Sequence, residues 1–203
     1  MMTQEAFPFA LLGLVHIRNQ VKQIRKIGVN ENLTITCGFG ELKPHNKGLQ
    51  FDFLTTVKVA GVVVMEGLTT YLSRQKTDAS AVAKQKEQTI SNFELQAVWN
   101  VAENTGRHYA KVSGDFNLIH IHALTAKVFG FKQAIAHGMW SKARALASLS
   151  LPDAYEVDIH FKLPMFLPSM VEFLTAEDKA STQILIRNEK SHKPHVAGTL
   201  KAL

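Results

Sequence analysis

Leu33, Ile35, Cys37 and Phe39 alternate with Thr34, Thr36 and Gly38. A period of two suits a half-buried strand, because successive side chains leave a strand on opposite faces. The alternation returns at Leu49, Phe51 and Phe53 against Gln50 and Asp52, beyond a turn-forming stretch with Pro44, Asn46 and Gly48. Leu14 to Ile27 mixes apolar and basic residues without a clean period and reads as strand. Val57 to Val64 centres on Ala60-Gly61, a turn candidate, and Val62 to Tyr71 continues as another long strand. The front of the chain is therefore expected to be a curved antiparallel sheet, rich in the β-branched and aromatic residues that fill a pleated surface.

Composition changes at Gln75 to Gln88, where Lys, Gln, Ala, Ser and Asp dominate. This predicts a linker over 75–89 between a first half (1–74) and a second half (90–203). In the second half, Val101 to Val112 reads as a short helix or a loop crossing. Ser113 to Asn117 reads as a loop and Ile121 to Phe129 as a short helix ending near Gly130. Met139 to Leu149 is the strongest helix former, rich in Ala, Leu, Lys and Arg. Strands are expected again around Val157–Phe161, Met170–Thr175, Gln183–Arg187 and Val196–Leu200. The pattern is α+β, a helix followed by an antiparallel sheet that it packs against.

Composition narrows the function classes. The 203 residues, 46% hydrophobic and 20% charged, fit a globular protein rather than a disordered one. Cys37 is the single cysteine, so no intrachain disulfide can form, and a cytoplasmic setting is expected. No stretch approaches the roughly 20 apolar residues that span a bilayer. Phe7 to Val15 is short and lacks both a basic lead and a cleavage signal, so it does not read as a signal peptide. The net charge of +6 suits an anionic partner, or simply a lysine-rich soluble surface. Its basic residues are scattered, without zinc-finger spacing or an aromatic RNA-binding strand, so no nucleic-acid partner is expected. Lys142 and Arg144 on the 139–149 helix read as a solvated face.

The polar run from Gly114 to His122 carries the chemistry. Asp115, Asn117, His120 and His122 fall within it, and Ala136-His137-Gly138-Met139 follows. A carboxylate beside an imidazole can orient a water, take its proton and return one elsewhere, and histidine titrates near neutrality. Gly138 stands where the 139–149 helix should begin. The first N–H groups of a helix lack acceptors and sit at a positive end of about half a charge, so they can hold a developing oxyanion. Asp115 can equally serve as an Asx-turn or cap residue, and His120 as a structural histidine. His122 can line the pocket or face solvent, and His137 can shape the turn. No H-E-x-x-H or cysteine pair organises a metal site, and neither a phosphate-loop fingerprint nor a serine elbow is present.

Tyr109-Ala110-Lys111-Val112-Ser113-Gly114-Asp115-Phe116-Asn117-Leu118-Ile119-His120 resembles the signature of the MaoC-like dehydratases, which include the (R)-specific enoyl-CoA hydratases. Phe129-Gly130-Phe131 and Ile135-Ala136-His137-Gly138-Met139 are similar to the same family's helix entry. The resemblance implies a hot-dog fold, a long helix wrapped by an antiparallel sheet, and reversible hydration of a trans-2-enoyl thioester to an (R)-3-hydroxyacyl thioester. It implies Asp115 and His120 as the catalytic pair and the Gly138 N–H as the group that polarises the thioester carbonyl. Ser113, Asn117, His122 and His137 would be supporting or pocket residues. The substrate would ride on coenzyme A or an acyl carrier protein, with no metal and no tightly bound cofactor, in a homo-oligomer.

Phe7-Pro8-Phe9, Leu11 to His16, Arg18-Asn19 and Tyr71 to Arg74 resemble the degenerate half of the two-hot-dog members, so a double hot dog with an incomplete first half is expected. The sequence departs from the family at Leu118, where proline is usual, and at His122, where Asp or Asn is usual. A hot-dog thioesterase and a non-catalytic acyl-thioester-binding protein are the alternative readings.

Overall fold

The computed structural model describes residues 14–75, 92–178 and 180–203. The linker expected at 75–89 falls almost wholly outside them, as do the fragments between Phe7 and Gly13. The chain divides into two compact units. The first carries β1–β4 and Asp153–Asp158, and the second runs from Ile90 to Pro152 and from Ile159 to Ala202.

In the first unit, β1 (Leu14–Gln23), β2 (Thr34–His45), β3 (Gly48–Val59) and β4 (Val62–Arg74) lie antiparallel in the order β2-β3-β4-β1. The strands pair as expected, but of the alternating set Leu33, Ile35 and Phe39 are exposed and not half-buried. Cys37 lies opposite Thr55 and Phe39 opposite Phe53, with the Phe39 and Phe53 rings 5.5 Å apart. Phe51 lies opposite Tyr71 and stacks on it at 5.7 Å. Ala60 and Gly61 both have positive φ (48° and 82°) and turn β3 into β4, the mirror-image geometry that matches strand twist. Arg18 of β1 also grips Asp158 through two bonds of 2.8 and 2.6 Å, a fork-on-carboxylate pairing. Among its described residues this unit is all strand.

The second unit is α+β. Its strands β6 (Tyr155–Phe161, of which Ile159–Phe161 belongs here), β9 (Pro194–Ala202), β8 (Ser181–Asn188), β7 (Ser169–Asp178) and β5 (Glu94–Val101) follow in that order. Four helices precede β6: α1 (Thr105–Ser113), α2 (Leu118–Ile121), α3 (Ala123–Val128) and α4 (Gly138–Ala147). Val101, Ile159, Val171, Phe173, Ile184, Ile186 and Val196 fill the core, and Ala145 of α4 is fully buried. This is the hot-dog arrangement, with central helices against a large antiparallel sheet, and the two units together fit a double hot dog.

Two details differ from the sequence reading. The second half begins with a strand, β5, and not with a helix. Its register shifts between Leu95 and Ala97, and a bulge there breaks the alternation that would have announced it. Lys142 is buried, not solvated. Arg144 is exposed but lies over the rings of Trp99 and Trp140, at 4.8 and 5.8 Å.

Candidate active site

Three short-range devices shape the loop between α1 and α2. Gly114 ends α1 with φ +75°, its N–H bonded to the Ala110 carbonyl, a left-handed cap that glycine adopts without a side-chain penalty. Ser113 Oγ donates to the Tyr109 carbonyl at 2.9 Å and accepts from the Asp115 N–H at 3.2 Å. Asp115 Oδ1 then accepts from the Asn117 N–H at 3.1 Å, and Asn117 Oδ1 from the Ile119 N–H at 3.3 Å. Ser113, Asp115 and Asn117 thus hand the backbone along in steps of two residues, as Asx and Ser turns do. The turn-forming role foreseen for Asp115 is present, and its second carboxylate oxygen is left over.

His120 lies half-buried on α2, its Nδ1 2.8 Å from the Ile135 carbonyl. A carbonyl only accepts, so Nδ1 carries the hydrogen and Nε2 presents a lone pair. His137 stands at the N-cap of α4 but does not cap it. Its Nε2 donates to the main-chain carbonyl of Asp115 at 3.0 Å and lies 3.8 Å from that residue's Oδ2. The His120 and His137 rings stack, centroids 3.7 Å apart, and Tyr109 leans on His137 at 5.0 Å.

Burial first, and the neighbouring His137 second, push His120 down to about 4, and burial also lowers His137. Both imidazoles are therefore neutral at ordinary pH. Burial and the Asp115 charge raise Tyr109.

Gly138 is the first residue of α4. A Cβ there would sit 2.9 Å from the ring of Phe161, so any side chain at the helix start would have to push that ring aside. The helix begins with free N–H groups beside His137, on the chain segment that also supplies the Ile135 carbonyl. His122 lies apart from the pair and caps α3, Nδ1 accepting from the Leu124 N–H at 3.1 Å.

Several supports carry no sequence signal. A Cβ on Gly106 of α1 would collide with the His120 carbonyl oxygen, so α1 and α2 touch backbone to backbone there. Arg107 Nη1 donates to the Ile121 carbonyl at 3.1 Å. Tyr109 completes the ring stack.

One ligand atom each of Asp115, His120 and His137 falls within 4.8 Å of the others. Nδ1 of His120 and Nε2 of His137 are each committed to a main-chain carbonyl, and the other nitrogen of His137, Nδ1, is buried without a partner. Such a set suits proton transfer better than a cation cage, whose donors must converge.

A family model described as the MaoC like domain matches residues 73–162. The 3-hydroxyacyl-thioester dehydratase X of Mycobacterium tuberculosis is 34% identical over 200 residues, spanning 97% of this chain and 71% of that protein. The chain belongs to the MaoC-like dehydratase family. A crystal structure of the same mycobacterial protein superposes with a TM-score of 0.83, covering 97% of this chain and 80% of that one. More distant structures share the fold alone. They include a MaoC-like dehydratase from Phytophthora capsici, at 17% identity and TM-score 0.78 over 98% of this chain and 76% of that one. The peroxisomal multifunctional enzyme type 2 of Drosophila melanogaster, at 16% and 0.73, is covered over 37% of its length by 93% of this chain.

For a MaoC-like dehydratase the two departures now have local explanations. His122 performs by Nδ1 the capping that Asp or Asn performs by a carboxyl or amide oxygen. Leu118 occupies the first position of α2, where proline is favoured because its missing N–H would be unpaired anyway.

Proposed function

We propose that this protein catalyses reversible hydration of a trans-2-enoyl thioester to a 3-hydroxyacyl thioester, with Asp115 and His120 as the catalytic pair and Gly138 as the oxyanion donor. The 34% identity to a 3-hydroxyacyl-thioester dehydratase supports the reaction class. The residue assignment rests on one observation, the bond from His120 Nδ1 to the Ile135 carbonyl. It commits the inner nitrogen and leaves the outer one as a base beside the Asp115 carboxylate.

In the hydration direction, the water lies between His120 Nε2 and the free oxygen of Asp115. Nε2 takes one water proton as the water oxygen bonds to the β-carbon. The electron pair of the carbon–carbon double bond moves towards the thioester oxygen, which the Gly138 N–H and the α4 dipole hold. A proton returned by the pair to the α-carbon restores the carbonyl, and dehydration runs the same steps backwards. Delivery of both groups from one side makes the addition syn, and the face of the β-carbon turned towards the pair sets the configuration of the hydroxyl, (R) by the family resemblance. Burial matters here. An imidazole held well below its ordinary value is a weak base but yields a strong acid once charged, so the returned proton is given up readily.

The carrier of the acyl group is coenzyme A or an acyl carrier protein. Residues 90–203, which hold the whole candidate site, are assigned to the chemistry. No helix among the described residues is long and apolar enough to cross a membrane; a cytoplasmic setting and a homo-oligomer belong to the proposal.

The experiment is product analysis with crotonyl-CoA and longer trans-2-enoyl-CoA substrates. Formation of the (R)-3-hydroxyacyl thioester without free thiol is expected. Thiol release detected with a trapping dye would make the protein a thioesterase. Tight binding without either product would make it an acyl-thioester-binding protein.

A further inference from the structure

One buried imidazole has no part in the mechanism. His195, the second residue of β9, is 8% exposed. Its Nδ1 lies 3.1 Å from the Leu163 carbonyl, and since a carbonyl only accepts, Nδ1 carries the hydrogen. Nε2 is buried with no partner among the described residues, and burial holds the ring below its ordinary value and neutral. A buried acceptor without a donor is costly, and an aliphatic side chain would avoid that cost. What histidine adds is a donor for one main-chain oxygen.

Leu163 belongs to the strap 162–168 that joins β6 to β7. The strap is pinned to β9 a second time, by the Lys162 N–H on the His195 carbonyl at 2.9 Å. Pro164 and Pro168 restrict its backbone, and Met165 and Leu167 are buried. It pairs with the segment 134–136. The Ala136 N–H donates to the Met165 carbonyl and the Leu167 N–H to the Ala134 carbonyl, both at 2.8 Å, around the Ile135–Phe166 bridge. That segment leads into the site. Ile135 turns its carbonyl to His120 Nδ1 and donates its N–H to the Ile119 carbonyl at 3.1 Å. His137 and Gly138 follow, and Phe161, where the strap begins, stands against Gly138. Every link from His195 to His120 is a hydrogen bond or a short run of backbone joining two of them.

We infer that His195 is a positioning residue for the hydration: by holding the Leu163 carbonyl it sets the strap, and through the strap the Ile135 carbonyl that orients His120 and the helix start that presents the Gly138 N–H. The inference rests on the hydratase reading above and adds to it a residue remote from the reacting atoms. A histidine that merely filled the core would, when replaced, cost stability and leave the kinetics of the folded protein alone. A positioning residue acts on the chemical step, because a misplacement of about 1 Å caused far from the chemistry can cost about a hundredfold.

The test uses His195→Leu and His195→Asn with crotonyl-CoA, below the melting temperature of both variants. Leucine fills the space without a donor, whereas the asparagine amide offers an N–H where Nδ1 stands. His195→Leu should lower kcat about tenfold or more while KM stays within about twofold, and His195→Asn should recover most of kcat. Wild-type kcat in folded His195→Leu overturns the inference, as does an asparagine variant no better than leucine.

Nuclear magnetic resonance of isotope-labelled histidine provides a readout without turnover, since the His120 Nδ1–H signal reports its bond to the Ile135 carbonyl. It should shift or broaden in His195→Leu and return towards its wild-type position in His195→Asn; a signal that neither variant moves overturns the inference. If the wild type hydrates no thioester, the hydratase reading fails by itself, and this signal still decides whether His195 sets His120. Should His195→Leu not fold, Pro164→Gly at an exposed position loosens the strap without opening the core. It should lower kcat about threefold or more and broaden the same signal; wild-type values of both would overturn the inference.

Discussion

Of the side chains gathered at the site, His120 and His137 decide how it responds to pH. Both are held below their ordinary value mainly by burial, His120 to about 4. The unfolded chain takes up these protons as pH falls through about 6.5, whereas the folded protein resists until about 4 for His120. Their contribution to stability is therefore full above about pH 6.5 and lost progressively below it. Buried His195, lowered by burial as well, adds in the same direction. Denaturation midpoints measured from pH 8 to pH 4 should fall, with most of the fall below 6.5. With neutral His120 as the proposed base, the free-enzyme pH profile of kcat/KM should keep its acid limb near 4; a limb near 6.5 would mean that the imidazole is solvated and not where the fold holds it. A second residue-scale expectation concerns Gly106. A methyl group there meets a main-chain oxygen that cannot swing away, so Gly106→Ala should displace α2 and lower kcat far more than it raises KM, checked by steady-state kinetics. Gly138→Ala meets the Phe161 ring instead.

The short helices show why a departure from a motif need not damage a site. Asn117 caps α2 and His122 caps α3, so the residues between them are fixed at both ends. His122→Asp should preserve the melting temperature, whereas His122→Ala should cost about 0.5–2 kcal/mol, the usual value of a helix cap, read by chemical denaturation. Leu118→Pro should stabilise by about 0.4–1 kcal/mol by narrowing the unfolded ensemble, because Asn117 already has an extended backbone (ψ 125°) that tolerates a following proline. Unchanged catalysis in that variant would show that Leu118 is a matter of loop stiffness alone. Local alternation announced β2, β3 and β6, helix-forming composition announced α4, and Ala60-Gly61 turns as its residues predict. β5 was hidden by a bulge, and the helix expected over Ile121–Phe129 spans Ala123–Val128, because His122, extended at φ −149°, caps it, while a separate turn of helix, Leu118–Ile121, precedes it unannounced by composition.

For the molecule as a whole, sequence reasoning reaches the strand-rich first unit and the α+β second unit, because burial of one face writes itself into alternation. It reaches the residues of the candidate site through local spacing, since Asp115, Asn117 and His120 act within one loop. It does not reach contacts made through backbone atoms, such as the Ile135 carbonyl on His120 or the Asp115 carbonyl on His137, because any residue supplies a carbonyl. Nor does it foresee Lys142 inside, since the length and charge of a lysine say nothing of the wall it lies against. The account of function turns on the polar pair being held together by those silent contacts. The measurement that tests it most directly is kcat for hydration of a trans-2-enoyl thioester by Asp115→Asn, on protein whose melting temperature matches the wild type. Asparagine keeps the turn that Asp115 Oδ1 makes with the Asn117 N–H and removes only the charge. A fall of about 10²–10⁴-fold is predicted, the usual worth of a positioned acid or base; turnover equal to the wild type would contradict the assignment of Asp115 to the chemistry.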